Sequence, residues 1–152
     1  MVLPIIGYGA TVLKTKAKVI PSDYPELNKL ISDMYETMYA ASGVGLAAPQ
    51  IGKSIRLFVI DTSPFDSDDF EQNSGFEVKS VKKTFINPVM INESGENSSF
   101  EEGCLSIPNI REHINRKSDI TIRYQDENFI DHQETFVGIL ARVIQHEYDH
   151  LE

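Results

Sequence analysis

The stretch Gly138-Ile139-Leu140-Ala141-Arg142-Val143-Ile144-Gln145-His146-Glu147-Tyr148-Asp149-His150-Leu151 decides the reading of the fold. Its apolar positions 139, 140, 143, 144 and 151 fall on one side of a helix, and such a helix needs an apolar surface to lie on. Working outward, that surface is a sheet. Arg56-Leu57-Phe58-Val59-Ile60-Asp61 reads as a buried strand, and Thr84–Asn92 and Ile120–Tyr124 read as further strands with partial alternation. A turn at Asp126-Glu127-Asn128 joins the last of these to another strand running through Phe136. Upstream, Leu27, Leu30, Ile31, Met34 and Met38 recur at helical spacing from Ser22-Asp23 onward, with Pro25 in the opening turn and Gly43 as a left-handed stop. The methionines read as core filler. The order helix, strands, helix predicts an α+β fold with mixed or antiparallel sheets packed around the C-terminal helix.

The remaining segments carry less. Residues 1–21 lack a sustained period and read as an extended arm. Thr62–Lys83, with Asp66, Asp68, Asp69, Glu71 and Glu77, reads as a solvated loop or hairpin insertion. At 152 residues the expectation is a single domain, 1–152. A formal charge of −9 argues against a surface built to grip nucleic acid or an anionic membrane. The lone Cys104 cannot form an internal disulfide, which suits a reducing compartment. With no apolar run long enough to span a bilayer and no leader-like start, a soluble cytoplasmic protein is expected.

The last helix also carries His146, Glu147 and His150 in an HExxH pattern. Imidazoles at i and i+4 share a helix face at the separation that two ligands of one metal need. With 4 His in the chain, an accidental match is expected in about one such sequence in a hundred. The alternative is a solvated helix end whose histidines face the negative end of the dipole. A catalytic metal needs a third protein ligand. Only Leu151 and Glu152 follow the motif here, so that ligand is expected upstream, from Cys104, His113, His132 or a carboxylate. Cys104 lies in Glu101-Glu102-Gly103-Cys104-Leu105-Ser106-Ile107-Pro108, whose small residues let backbone approach a site closely.

Three segments in order, Gly43-Val44-Gly45-Leu46-Ala47-Ala48-Pro49-Gln50, Glu102-Gly103-Cys104-Leu105-Ser106 and Gln145-His146-Glu147-Tyr148-Asp149-His150, make the chain resemble the peptide deformylases. The resemblance runs from Gly43 to the last residue, apart from the Thr62–Lys83 insertion. It implies an α+β fold built around a metal-binding helix. It also implies one divalent metal, physiologically Fe²⁺ and replaceable by Zn²⁺, Ni²⁺ or Co²⁺. The implied reaction removes formate from N-formylmethionine of nascent polypeptides, in the cytoplasm and in transient proximity to the ribosome. Carried over by motif, Cys104, His146 and His150 are the implied metal ligands, and Glu147 the implied general acid/base. Gln50 and the Leu105 N–H are the implied donors to the oxyanion. Val44, Gly45, Ile139 and Val143 are implied to contact the methionyl substrate, and Arg111 its peptide carbonyls. Arg142 stands where some members have an apolar pocket residue, and Asp149 and Glu102 are implied partners for an imidazole or an arginine. Members of the family usually continue past the second histidine, whereas this sequence ends at Glu152.

These roles suit the residue types. Three protein ligands leave a coordination position for water, a carboxylate beside it can move a proton, and a neutral amide suits a developing alkoxide. Two rivals stand beside this reading. A small HExxH metallopeptidase would cut internal peptide bonds from an open groove. A closed structural metal site would recruit His113 or His132 as a fourth ligand.

Overall fold

The computed structural model describes residues 2–5, 16–41, 43–62, 81–104 and 107–151; the side chains of residues 96–104, 107–115 and 139 lie outside that description. The described elements run α1 (Leu27–Ala40), β1 (Gly45–Ala47), a 3₁₀ turn (Ala48–Ile51), β2 (Leu57–Asp61), β3 (Lys82–Cys104), β4 (Ile107–Gln125), β5 (Asp131–Val137) and α2 (Gly138–Asp149). The strands form one sheet in the order β1-β2-β3-β4-β5, every neighbouring pair antiparallel. The described arm adds an isolated parallel bridge between Lys18 and Ile55. The α+β class is therefore as expected.

β2 explains why its sequence reads as an unbroken apolar run. Phe58 and Ile60 enter one core with Phe85, Ile120, Ile122, Phe136 and, from α2, Ala141, Val143 and Ile144. Leu57 and Val59, on the opposite face, enter a second core with Ile31, Met34, Tyr35 and Met38 of α1. Side chains alternate along a strand, so covering both faces demands apolar residues at every position. The methionines of α1 are core residues, as their spacing implies. Phe85 stacks on Phe58 at 4.6 Å between centroids and touches Tyr124 at 4.4 Å, which centres the α2-side core on β3.

Local boundaries differ from the expectations. α1 starts at Leu27, not at Ser22-Asp23, because Glu26 takes a left-handed conformation (φ 55°) just ahead of it. Its end is not a left-handed stop at Gly43. The left-handed glycines among the described residues are Gly52, Gly95 and Gly138. Gly43 instead donates its N–H to the Met38 carbonyl at 2.9 Å.

Thr84–Asn92 and Ile120–Tyr124 are short pieces of β3 and β4, a long hairpin whose register shifts at Ile86/Val89, Met90/Asn92, Ser94/Asn97 and Gly103/Cys104. Each shift breaks the two-residue alternation, and Glu93-Ser94-Gly95-Glu96-Asn97-Ser98-Ser99 has little strand propensity. Cross-strand pairing overrides that propensity. The insertion is also narrower than Thr62–Lys83. Lys82 and Lys83 pair with Asp61 and Ile60 in the sheet, and Thr62 and Val81 close its base through the Thr62 N–H to the Val81 carbonyl at 2.9 Å. Residues 63–80 lie outside the described residues.

The arm docks through its described part. Ala17 N–H donates to the Leu151 carbonyl at 3.0 Å, and Arg56 N–H to the Lys18 carbonyl at 2.8 Å. Asn87, left-handed at φ 50° beside the first bulge, takes the Ile20 N–H on Oδ1 at 2.7 Å. Its Nδ2 donates to the Ile20 carbonyl at 2.8 Å and to Gln125 Oε1 at 2.9 Å. Asparagine tolerates this conformation better than a branched residue.

Candidate active site

α2 follows β5 with no intervening loop. Val137 is still extended (φ −132°), and Gly138 turns the chain at φ 63°, a conformation that costs glycine little and other residues more. The helix then lays Ala141, Val143 and Ile144 on the sheet, which fixes the direction of the remaining faces. His146 and His150 follow one another by one turn, their rings 5.3 Å apart between centroids and inclined at 67°. Ligand atoms of His146, Glu147 and His150 all lie within 4.8 Å of one another. Both imidazoles are half-buried, while Glu147 is 3% exposed.

The helix is tied down near its two imidazoles. Gln145 Nε2 donates to the Lys117 carbonyl of β4 at 2.9 Å and to the Ala141 carbonyl at 3.0 Å. Asp149 pairs with Arg116 of β4 at 2.8 Å. Of the two partners expected for Asp149, an imidazole or an arginine, it therefore takes the arginine. Arg56, just before β2, reaches the far end of α2: its Nη1 donates to the Leu151 carbonyl at 3.4 Å. Arg56 and Arg116 escaped the sequence reading. A basic residue abutting the apolar run Leu57–Ile60 was the available signal for Arg56.

β1 brings the first motif to the helix. Gly45 lies against the Glu147 side chain. Val44 packs on the core that contains Val143, so these two expected pocket residues share one cluster. Gln50, in the 3₁₀ turn after β1, is 1% exposed, and its Oε1 accepts the Ala47 N–H at 3.0 Å. That bond settles which end of the amide is the acceptor and leaves Nε2 as the donor end.

Cys104 pairs with Ile107 at the tip of the β3–β4 hairpin, Gly103 pairs with Arg111, and Ile139 lies in the first turn of α2. The side chains of Cys104, Arg111, Ile139 and Glu102 lie outside the described residues, as does Leu105 altogether. Arg142 is buried at 3% exposure. His132 bonds Asp126 at 2.8 Å and stacks on Tyr124. It is not in the metal-competent group found among the described residues, which counts against a closed site completed by His132.

Two imidazoles and a carboxylate within one turn suit a divalent first-row cation, with the imidazoles as ligands and the carboxylate able to move a proton. Comparison with known proteins bears on this chemistry. The chain matches the family described as polypeptide deformylase over residues 2–152. A peptide deformylase of Flavobacterium psychrophilum is 56% identical over the whole of this chain and 79% of its own length. The crystal structure of peptide deformylase from Thermotoga maritima superposes with a TM-score of 0.83 at 38% identity, covering 99% of this chain and 92% of that one. A Met-Ala-Ser-bound class I type b peptide deformylase from Acinetobacter baumannii gives 0.87 at 29% identity, covering 99% and 93%.

Proposed function

Because the chain belongs to the polypeptide deformylase family, we propose that the cluster on α2 is its hydrolytic centre, with each residue acting as follows. The activity itself is that of the family: a metal-dependent hydrolase that removes the formyl group from N-formylmethionine of nascent chains. The observation that carries the residue assignment is the grouping of His146, Glu147 and His150 within 4.8 Å, with Glu147 buried beside two half-buried imidazoles.

His146, His150 and Cys104 hold the metal. A mixed imidazole and thiolate set suits Fe²⁺, the physiological choice, as well as Zn²⁺, Ni²⁺ and Co²⁺. When bound, the metal supplies a Lewis acid that polarises the formyl carbonyl and acidifies water. Glu147 takes a proton from the attacking water as its oxygen bonds to the formyl carbon, and the carbonyl π electrons move onto oxygen. Gln50 Nε2 and the Leu105 N–H stabilise that oxygen; the bond from Ala47 N–H to Gln50 Oε1 supports the donor role of the other end. The electron pair then returns, the C–N bond breaks, and Glu147 passes its proton to the departing amine nitrogen. Formate and a free α-amine result.

Val44, Val143 and Ile139 provide an apolar seat for the methionine side chain. Gly45 and Arg111 address the peptide backbone. The reaction belongs in the cytoplasm, in transient proximity to the ribosome, and the charge of −9 favours no direct grip on nucleic acid. Among the described residues no helix is long and apolar enough to cross a membrane.

The test is acyl selectivity under identical metal loading. An acetyl methyl overfills the carbonyl site and tilts the attack geometry, penalties of about 1–3 kcal/mol and roughly 10²-fold in rate. N-formylmethionyl peptides should therefore be hydrolysed about 5 × 10²-fold to 10⁴-fold faster than N-acetylmethionyl ones. Comparable rates, or cleavage of internal peptide bonds, would overturn the assignment.

A further inference from the structure

Gly45 stands in β1, where glycine weakens a strand and where its own backbone needs no left-handed conformation. Neither a turn nor a positive φ explains it. Its surroundings do. A Cβ at this position would lie 2.8 Å from Cγ, 2.9 Å from Cδ and 2.9 Å from Oε2 of Glu147, and these are the three nearest atoms it would meet. Carbon atoms do not approach that closely, so something would have to move. The obstructing group is a side chain and not backbone, which leaves the strand itself able to accept alanine. Glu147 is almost wholly buried, and its carboxylate would be pushed off its present position within a packed site.

We propose that Gly45 is a positioning residue for catalysis: the missing side chain on β1 sets where the Glu147 carboxylate stands relative to His146 and His150. This rests on the reading of Glu147 as the proton carrier, and it assigns Gly45 a role beyond contact with the peptide backbone. β1 pairs with β2 through Gly45 and Ile60, and Ile60 lies in the core on which α2 packs. The sheet and the helix therefore hold the two halves of this contact at a set separation. A displacement of about 1 Å at a proton-transfer group is enough to cost roughly 10²-fold in rate.

Four proteins with full metal content test this: wild type, Gly45→Ala, Glu147→Ala and the double variant. Gly45→Ala should retain stoichiometric metal and keep KM for an N-formylmethionyl peptide within about twofold, while kcat falls at least about tenfold. Its crystal structure should show the Glu147 carboxylate displaced by about 1 Å and both imidazoles in place. Alanine at position 147 lacks Cγ, Cδ and Oε2, the three atoms of the contact, so the double variant should be no slower than Glu147→Ala alone. Should Gly45→Ala be too unstable to assay, the double variant should recover its melting temperature. Multiplicative losses in the double variant, a raised KM at unchanged kcat, or an unmoved carboxylate would each overturn the proposal. Full turnover by Glu147→Ala would instead overturn the underlying reading of Glu147, and Gly45 with it.

Discussion

The guanidinium of Arg56 lies over the ring of Tyr148, 5.6 Å from its centroid, and so joins the start of β2 to the last turn of α2. The same side chain donates through Nη2 to the Pro88 carbonyl at 2.9 Å and through Nη1 to the Leu151 carbonyl. Tyr148 in turn accepts the Met90 N–H on its hydroxyl at 3.2 Å. Leu151 lies two residues past the end of α2, and a buried cation at that end complements the helix dipole. His150 sits inside this anchored turn.

Arg56→Met keeps the apolar stem and removes the donors to the Pro88 and Leu151 carbonyls, of which Leu151 keeps the Ala17 N–H, a loss of about 1–3 kcal/mol. For a chain of this size the melting temperature should fall by about 2–12 °C, measured by calorimetry on metal-loaded protein. A change inside experimental error would show that the anchor contributes nothing.

Glu147→Ala should keep a stoichiometric metal and lose at least about 10²-fold in turnover, since it removes a proton carrier and not a ligand. Metal analysis beside a formate-release assay separates the two roles. Loss of the metal would make Glu147 a ligand instead.

Cys104→Ala should lose metal affinity, because two imidazoles alone hold a catalytic cation poorly. The thiolate also predicts that iron-loaded protein loses activity in air while nickel-loaded protein does not. Undiminished metal affinity in the alanine variant, measured by competition with a chelator, would remove Cys104 from the ligand set.

Acid stability should depend on a network at the β4–β5 edge. Burial raises the pKa of Glu134, but the Tyr124 hydroxyl and the Lys83 charge outweigh it and leave the carboxyl below its ordinary value. Asp126 is held down by its hydrogen bond with His132 and by the Ile130 N–H. A folded pKa below the unfolded one contributes stability that is complete above the unfolded value and is lost as pH falls through the folded value. The stability difference between wild type and Glu134→Gln, at most about 1 kcal/mol for so exposed a pair, should therefore be full at neutral pH. It should shrink below about pH 4. Urea denaturation at stepped pH reads this directly, and a difference that grows on acidification would contradict the assignment.

The sequence alone determined the features that depend on neighbours along the chain. Helical spacing located α2 and its HExxH face, because residues at i and i+4 share a face whatever the rest of the molecule does. The unbroken run Leu57–Ile60 located β2, because a strand covered on both sides admits no polar position. Tertiary structure decided what depends on distant partners. The length of β3 and β4 follows from pairing across a bulged hairpin, which overrides the weak strand propensity of residues 93–99. The start of α1 follows from the backbone at Glu26. The reason for glycine at position 45 appears only when β1 meets α2, since the side chain that forbids a Cβ belongs to Glu147, far away in sequence. Arg56 and Arg116 likewise look like ordinary surface charges until the fold places the helix end and Asp149 beside them. Periodicity is a local property and is written in the chain; steric exclusion and buried hydrogen bonds between remote segments exist only once those segments are packed.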